Sequence, residues 1–134
     1  MKNIRQTVAF RASPHEVYEA LLDSRKHARF TGSRASISRR VHGPIRAYDG
    51  FITGENIELI PDSRIVQVWR AGEKCWPRDH YSKVTFSLKK VRTGTRMSFF
   101  HSGVPAGCYN LIRDGWWDAY WKPMKKMLEE QEHN

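Results

Sequence analysis

The sequence predicts an α+β protein, with helices on one face of a curved antiparallel sheet and one long helix at the end of the chain. Three observations predict it. Apolar residues alternate with polar ones through the middle of the chain, as half-buried strands require. An early stretch, "SPHEVYEALLD", carries the marks of a helix start. The C-terminal stretch from Tyr109 repeats aromatic and aliphatic residues at spacings of three and four. Strand, helix, a run of strands and a final helix is the α+β order. With 134 residues the chain makes a single domain over 1–134, and a chain of this size buries roughly two-thirds of its unfolded surface without needing staples.

The opening strand contains "QTVAF", with Ile4, Val8 and Phe10 as its apolar anchors. In the helix that follows, Ser13 caps and Pro14 occupies the first turn, where its missing N–H costs nothing. Glu16 completes a capping box. Val17, Ala20 and Leu21 form the apolar face. A short basic segment then runs to Thr31 and Gly32. From Ala35 to about Ser102 the pattern is strands and turns. "FITGENIELI" reads as two short runs joined through Gly54, Glu55 and Asn56. Pro61, Asp62 and Ser63 make a turn before a strand that puts Ile65, Gln67 and Trp69 on one side. "HYSKVTFSLKK" sends Val84, Phe86 and Leu88 one way and Lys83, Thr85 and Ser87 the other. After a turn at Gly94, Met97, Phe99 and His101 share the inner side.

The final helix holds the densest aromatic cluster, "DGWWDAYWKPMKK". Ile112, Trp116, Tyr120, Met124 and Met127 form one row, and Trp117, Trp121, Met124 and Leu128 a second. Charged residues fill the other side. So wide an apolar stripe must be covered over much of its circumference, and a sheet that curls around the helix does this. Gly115 suits close approach of the backbone to the sheet. Pro123, in a position that otherwise reads as helix interior, predicts a local kink. The stripe serves either as packed core or as one wall of a cavity, since aromatics on curved surfaces leave gaps and Met fills irregular space.

The formal charge is +9. Much of the excess lies between Arg25 and Arg46, a segment with seven Lys or Arg and no acidic residue: Arg25, Lys26, Arg29, Arg34, Arg39, Arg40 and Arg46. This is either a solvated face or a docking face for something acidic. No zinc-finger spacing or RNA-binding signature accompanies it, so nucleic acid is not the favoured partner. Charge within the apolar run of "MKNIRQTVAF" argues against a signal peptide, and no stretch approaches the ~20 apolar residues of a membrane span. A cytoplasmic location is therefore expected, with Cys75 and Cys108 as free thiols.

The stretches "IELIPDSRIVQVWR" and "WPRDHYSKVTFSL", then "GVP" and "DGWWDAYWKPMKK", resemble the C-terminal domain of the activator of heat-shock protein 90 ATPase and its short relatives in the START-like, polyketide cyclase superfamily. Trp76, Pro77 and His80, and the Gly115-Trp116 pair, are the most specific pieces, and the resemblance runs over nearly the whole chain. It implies a helix-grip fold, in which a curved antiparallel sheet wraps around the long C-terminal helix. It also implies an apolar cavity of the kind this superfamily uses for lipids, polyketides or other small molecules. In the eukaryotic activator this domain helps engage the dimerised N-terminal region of the chaperone, a role in the stress response, after a separate domain has bound the middle region. No counterpart of that separate domain is expected in this chain.

Two functions are therefore expected, and they are compatible. One is non-catalytic binding of a small hydrophobic molecule or lipid between sheet and helix, at Trp69, Trp76, His80, Phe86, Phe99, His101, Trp116, Tyr120 and Met124. The other is a co-chaperone-like partnership with heat-shock protein 90 through the basic segment. The alternative is a small cyclase- or dehydratase-type enzyme on the same fold. His80 and His101 are read as facing inward on neighbouring strands, where they either form a polar end to a cavity or hydrogen-bond within the core. With no acidic partner at a telling spacing and no third ligand, neither acid–base catalysis nor a metal site is expected. No cofactor motif is present. Exposed strand edges in such a fold can pair, so a homodimer is possible.

Overall fold

The computed structural model describes residues 1–131. Strand β1 (Lys2–Phe10) leads through the two helices α1 (Pro14–Leu22) and α2 (Ser24–Thr31) into the sheet. Six further strands follow: β2 (Ser36–Ile37), β3 (Pro44–Ala47), β4 (Ile52–Ile60), β5 (Arg64–Ala71), β6 (Ser82–Val91) and β7 (Gly94–Val104). All pair antiparallel in the order β1-β7-β6-β5-β4-β3-β2, so chain neighbours are sheet neighbours from β2 to β7 and β1 closes one edge against β7. The final helix begins as α3 (Tyr109–Gly115), passes through a π-helical turn (Trp116–Trp121) and ends as α4 (Lys122–Gln131). The class is α+β, and the curved sheet grips this helix.

Local sequence explains most of these boundaries. The Ser13–Glu16 capping box starts α1 with both reciprocal bonds made. The segment read only as basic is a second helix: Asp23 accepts from the Lys26 N–H to cap α2, and Gly32 ends it in the left-handed conformation at φ 72°. The expected break at Gly54–Asn56 is instead a continuous strand with a bulge between Asn56 and Glu58. Gly54 is needed there for packing, because a Cβ would lie 2.0 Å from the Val68 carbonyl oxygen across the ladder.

The core lies between the inner face of the sheet and the helices. Ile65, Gln67 and Trp69 of β5, Val84, Phe86 and Leu88 of β6, and Met97, Phe99 and His101 of β7 are all buried on that face. Trp116, Tyr120, Trp121, Met124 and Leu128 meet them from the final helix. Each such large side chain contributes roughly 1.5–3 kcal/mol by leaving water. Trp117 departs from the expected second apolar row: it is 39% exposed, because the π turn rotates the helix faces relative to a regular 3.6-residue spiral.

Candidate functional site

The π turn is where the final helix becomes more than a core element. Within it the Lys122 N–H reaches back to the Trp117 carbonyl, five residues earlier. In a regular helix the Ala119 carbonyl would receive the N–H of residue 123, but Pro123 has none. The Tyr48 hydroxyl donates to that carbonyl instead. Tyr48 stands in a turn of three consecutive left-handed residues, with Tyr48 at φ 49°, Asp49 at 57° and Gly50 at 92°. Non-glycine residues held this way cost of order 1–3 kcal/mol each and concentrate at sites of function. So Pro123 comes with a widened turn and an outside donor, in place of the expected simple kink.

A cavity of about 350 Å³ opens beside this turn. Its walls are Tyr48, Ile52, Trp69, Ile112, Trp116, Ala119 and Tyr120, with exposed Phe51 and Leu111 at the rim and Glu73 as the one charged residue. Gly115 also lines it. Nothing lies within 4 Å of the place a Gly115 Cβ would occupy, so this glycine leaves space beside the helix and does not bring the backbone onto the sheet. Deeper in, an inner chamber of about 20 Å³ is lined by His27, Gln67 and Phe86 among others, and shares Ile52, Trp69, Trp116 and Tyr120 with the outer cavity.

Of the residues expected at a ligand site, Trp69, Trp116 and Tyr120 stand on the cavity wall, and Phe86 touches only the inner chamber. Phe99, His101, Met124 and Trp76 pack behind it. His80 is not on a strand: it lies in the loop before β6, with Nε2 2.6 Å from the Gly103 carbonyl oxygen, while the Trp76 indole donates to the His80 carbonyl at 2.8 Å. Tyr48, Ile52 and Ile112 complete the wall. Ile112 was legible as part of the helical stripe; Tyr48 and Ile52 carried no local signal, since they reach the helix only through the fold.

His101 is hydrogen-bonded at both ring nitrogens. The Trp116 indole N–H donates to Nδ1 at 3.1 Å, and Nε2 lies 2.7 Å from the Ser82 hydroxyl, which in turn donates to the Trp69 carbonyl. An acceptor at Nδ1 places the proton on Nε2, so the chain runs in one direction from Trp116 to Trp69. Burial lowers the His101 pKa to about 3 and holds the ring neutral. Burial likewise pushes the Tyr48 hydroxyl up to about 12 and raises that of Tyr120 further.

The cysteines are joined. Cys75, in the loop after β5, and Cys108, at the start of the final helix, form a disulfide across a Cα separation of 5.5 Å. The free-thiol expectation fails because that loop folds back onto the helix, bringing together residues 33 apart in sequence. The bridge stands two residues from Glu73 and three from Leu111, both on the cavity lining.

The basic segment divides. Arg25, Arg34 and Arg46 line one open groove of about 620 Å³ with Ser24, Ser36 and Asp49. Arg39 is held elsewhere by Glu19 at 2.6 Å. Lys26, Arg29 and Arg40 are outside that groove. Among the described residues no helix is long and apolar enough to cross a membrane, and no three His, Cys, Asp or Glu side chains converge as metal ligands.

The family described as "Activator of Hsp90 ATPase homolog 1-like protein" matches residues 11–129. The chain belongs to this family. It is 28% identical over 117 residues to the human activator of 90 kDa heat shock protein ATPase homolog 1, covering 87% of this chain and 34% of that protein. The chain thus spans about a third of the length of the curated relatives it matches. An Hsp90 activator from Plasmodium falciparum superposes with a TM-score of 0.88 at 23% identity, covering 96% of this chain and 97% of that one. The Aha1 dimer from Colwellia psychrerythraea superposes at 0.77 with 21% identity, covering 96% and 97%. At these identities the structural likenesses establish the fold.

Proposed function

We propose that the protein is a non-catalytic binding module that takes a small hydrophobic molecule in the cavity between the sheet and the π turn of the final helix. The observation that carries this reading is the cavity itself: about 350 Å³, walled almost wholly by aromatic and aliphatic side chains, with few polar groups. Its volume is at the low end of the usual range for small-molecule sites. The aromatics supply apolar contact area, and the Tyr48 and Tyr120 hydroxyls supply orientation. The non-catalytic reading is supported by His101, whose two ring nitrogens are both engaged, by the Trp116 indole and the Ser82 hydroxyl, and whose ring burial holds neutral.

Native mass spectrometry of the purified protein tests this. A co-purifying mass that disappears on denaturation is the expected result. Gly115→Leu should abolish it without loss of stability, because residue 115 has an ordinary helical φ of −61° and open space at Cβ, and Leu is a better helix former by about 1 kcal/mol. A ligand retained undiminished by Gly115→Leu would place binding elsewhere and sink the cavity reading.

A second reading rests on the family and on the arginine groove. The relatives named as Hsp90 activators suggest that this chain engages heat-shock protein 90, and Arg25, Arg34 and Arg46 form a face that suits an acidic partner. Association with the chaperone of the same organism should then weaken with salt and weaken again when the three arginines become glutamates. Undetectable binding both at low salt and at about 150 mM would remove this reading.

A further inference from the structure

The positive charge of this chain has a second concentration, which runs across strands and which no single segment of sequence reveals. Strands β1, β6 and β7 are neighbours in the sheet and hold no aspartate or glutamate. Alternation sends Ile4, Val8, Val84, Phe86, Met97 and Phe99 into the core. Arg5, Lys83, Lys89 and Arg96 therefore project from the opposite face, and all four are exposed. The register places them around one patch. Lys89 lies opposite Arg96 at one end, while Arg5, opposite Phe100, and Lys83, opposite Ser102, mark the other. Between the two ends, Thr7, Ser98 and Ser87 stand in one row across the three strands, with Thr85 in the next. Among the described residues, none of the four cations has a carboxylate within ion-pairing distance. Acidic side chains return only at β4, where Glu58 pairs with Arg64 of β5 at 2.8 Å.

We propose that this outer face docks the protein onto a bilayer surface rich in anionic phospholipid headgroups, as a peripheral and salt-reversible contact. The face is independent of the cavity, which lies on the other side of the sheet. Four clustered cations with no opposing acid attract a negatively charged surface over about a Debye length. The Ser and Thr hydroxyls between them donate to phosphate or carboxylate oxygens without reading any sequence. Shape decides among the polyanions. A sheet that wraps a helix is convex on its outside, so it offers no groove for a nucleic-acid duplex to lie in. Phe100 is the one outward aromatic ring on these strands, and the Arg5 guanidinium caps it at 4.3 Å, which leaves bases no free stacking platform. Headgroups move laterally and gather under a convex patch as readily as under a flat one. No large apolar side chain is exposed on the three strands, so the contact stays at headgroup level without insertion.

Vesicle sedimentation tests this with phosphatidylcholine alone and with equal parts of phosphatidylcholine and phosphatidylserine. The protein should bind only the second, and more weakly as salt rises from low ionic strength to about 150 mM. Two triple variants of equal net charge separate the face from the overall charge of +9. Lys83→Gln, Lys89→Gln and Arg96→Gln together should lower the affinity about a hundredfold, roughly fivefold per cation. Arg29→Gln, Lys74→Gln and Lys126→Gln remove as much charge from exposed positions on α2, the loop after β5 and α4, and should change it little. Vesicles carrying a paramagnetic headgroup label give a readout on the unaltered protein. They should broaden the amide resonances of β6 and β7 and spare those of α2 and α4. Equal losses in the two variants, equal or absent binding to the two vesicles, or broadening centred on the helices overturns the proposal. Displacement from the phosphatidylserine vesicles by duplex DNA of equal total charge overturns the choice of lipid and makes the face a nucleic-acid surface.

Discussion

Two histidines occupy opposite sides of the same aromatic cluster and illustrate how a single atom's partner decides a residue's role. His101 receives the Trp116 indole and engages Ser82, so both nitrogens are spent and the ring is a structural strut. His27 sits between Phe30 and Tyr120, with ring centroids at 4.9 and 5.3 Å, and keeps one nitrogen unmatched. Burial lowers both pKa values from the ordinary 6.5, to about 4 for His27 and about 3 for His101. Between pH 6.5 and those values the unfolded chain binds protons that the folded protein does not. Their contribution to stability is therefore complete above pH 6.5 and is lost as the pH falls, by roughly 1.4 kcal/mol per unit for each histidine. Urea unfolding at pH 7, 6 and 5 should show a loss of a few kcal/mol across that range. A flat profile would mean that one or both rings gain a proton partner on folding.

The final helix shows how an apparent helix breaker is absorbed by an element. A proline in a regular helix interior costs about 3 kcal/mol. Here the preceding turn already runs from residue i to i−5, and the carbonyl that loses its N–H is served by Tyr48. Pro123→Ala should consequently change stability by less than about 1 kcal/mol in chemical denaturation. A gain near 3 kcal/mol would show that the proline is strained and that the π turn is its consequence alone. The same turn exposes Trp117, draws Tyr120 and Trp116 to the cavity wall and leaves Gly115 facing open space. The cavity is thus a product of the helix's irregularity as much as of the sheet's curl. Bulged β4 makes the matching adjustment on the sheet side, where Asn56 is held by the Ser38 and Arg40 carbonyls and by Gln67.

At the scale of the whole molecule, the disulfide ties the loop after β5 to the start of the final helix and so braces one side of the cavity. Closing a loop of about 33 residues restricts the unfolded chain by roughly 3–4 kcal/mol in the chain-entropy description. Reduction should lower the unfolding free energy by about that amount, as a fall in the urea midpoint with excess reductant, and ligand retention should fall with it. Identical midpoints with and without reductant would show that packing alone holds the loop. The basic face lies apart from this brace: Arg25, Arg34 and Arg46 come from α2, the following loop and β3, and the groove they line shares no residue with the cavity.

What the sequence determined by itself was the set of faces. The capping box at Ser13, the strict alternation of β6 and the apolar spacing of the last helix act between residues at most a few positions apart, and each appears where those spacings put it except at Trp117, which the π turn leaves exposed. The α+β class follows from their order, and the sheet's grip on the final helix from the width of that helix's apolar stripe. Only the tertiary structure decided which of those buried residues touch one another and which border empty space. Tyr48 serves a carbonyl 71 residues away, Cys75 finds Cys108 across 33, and Trp121 donates to Gln6 across 115. Such partnerships depend on the path of the whole chain. So does a cavity, which forms where helix and sheet diverge, and residue spacing along one segment carries no measure of the distance to another.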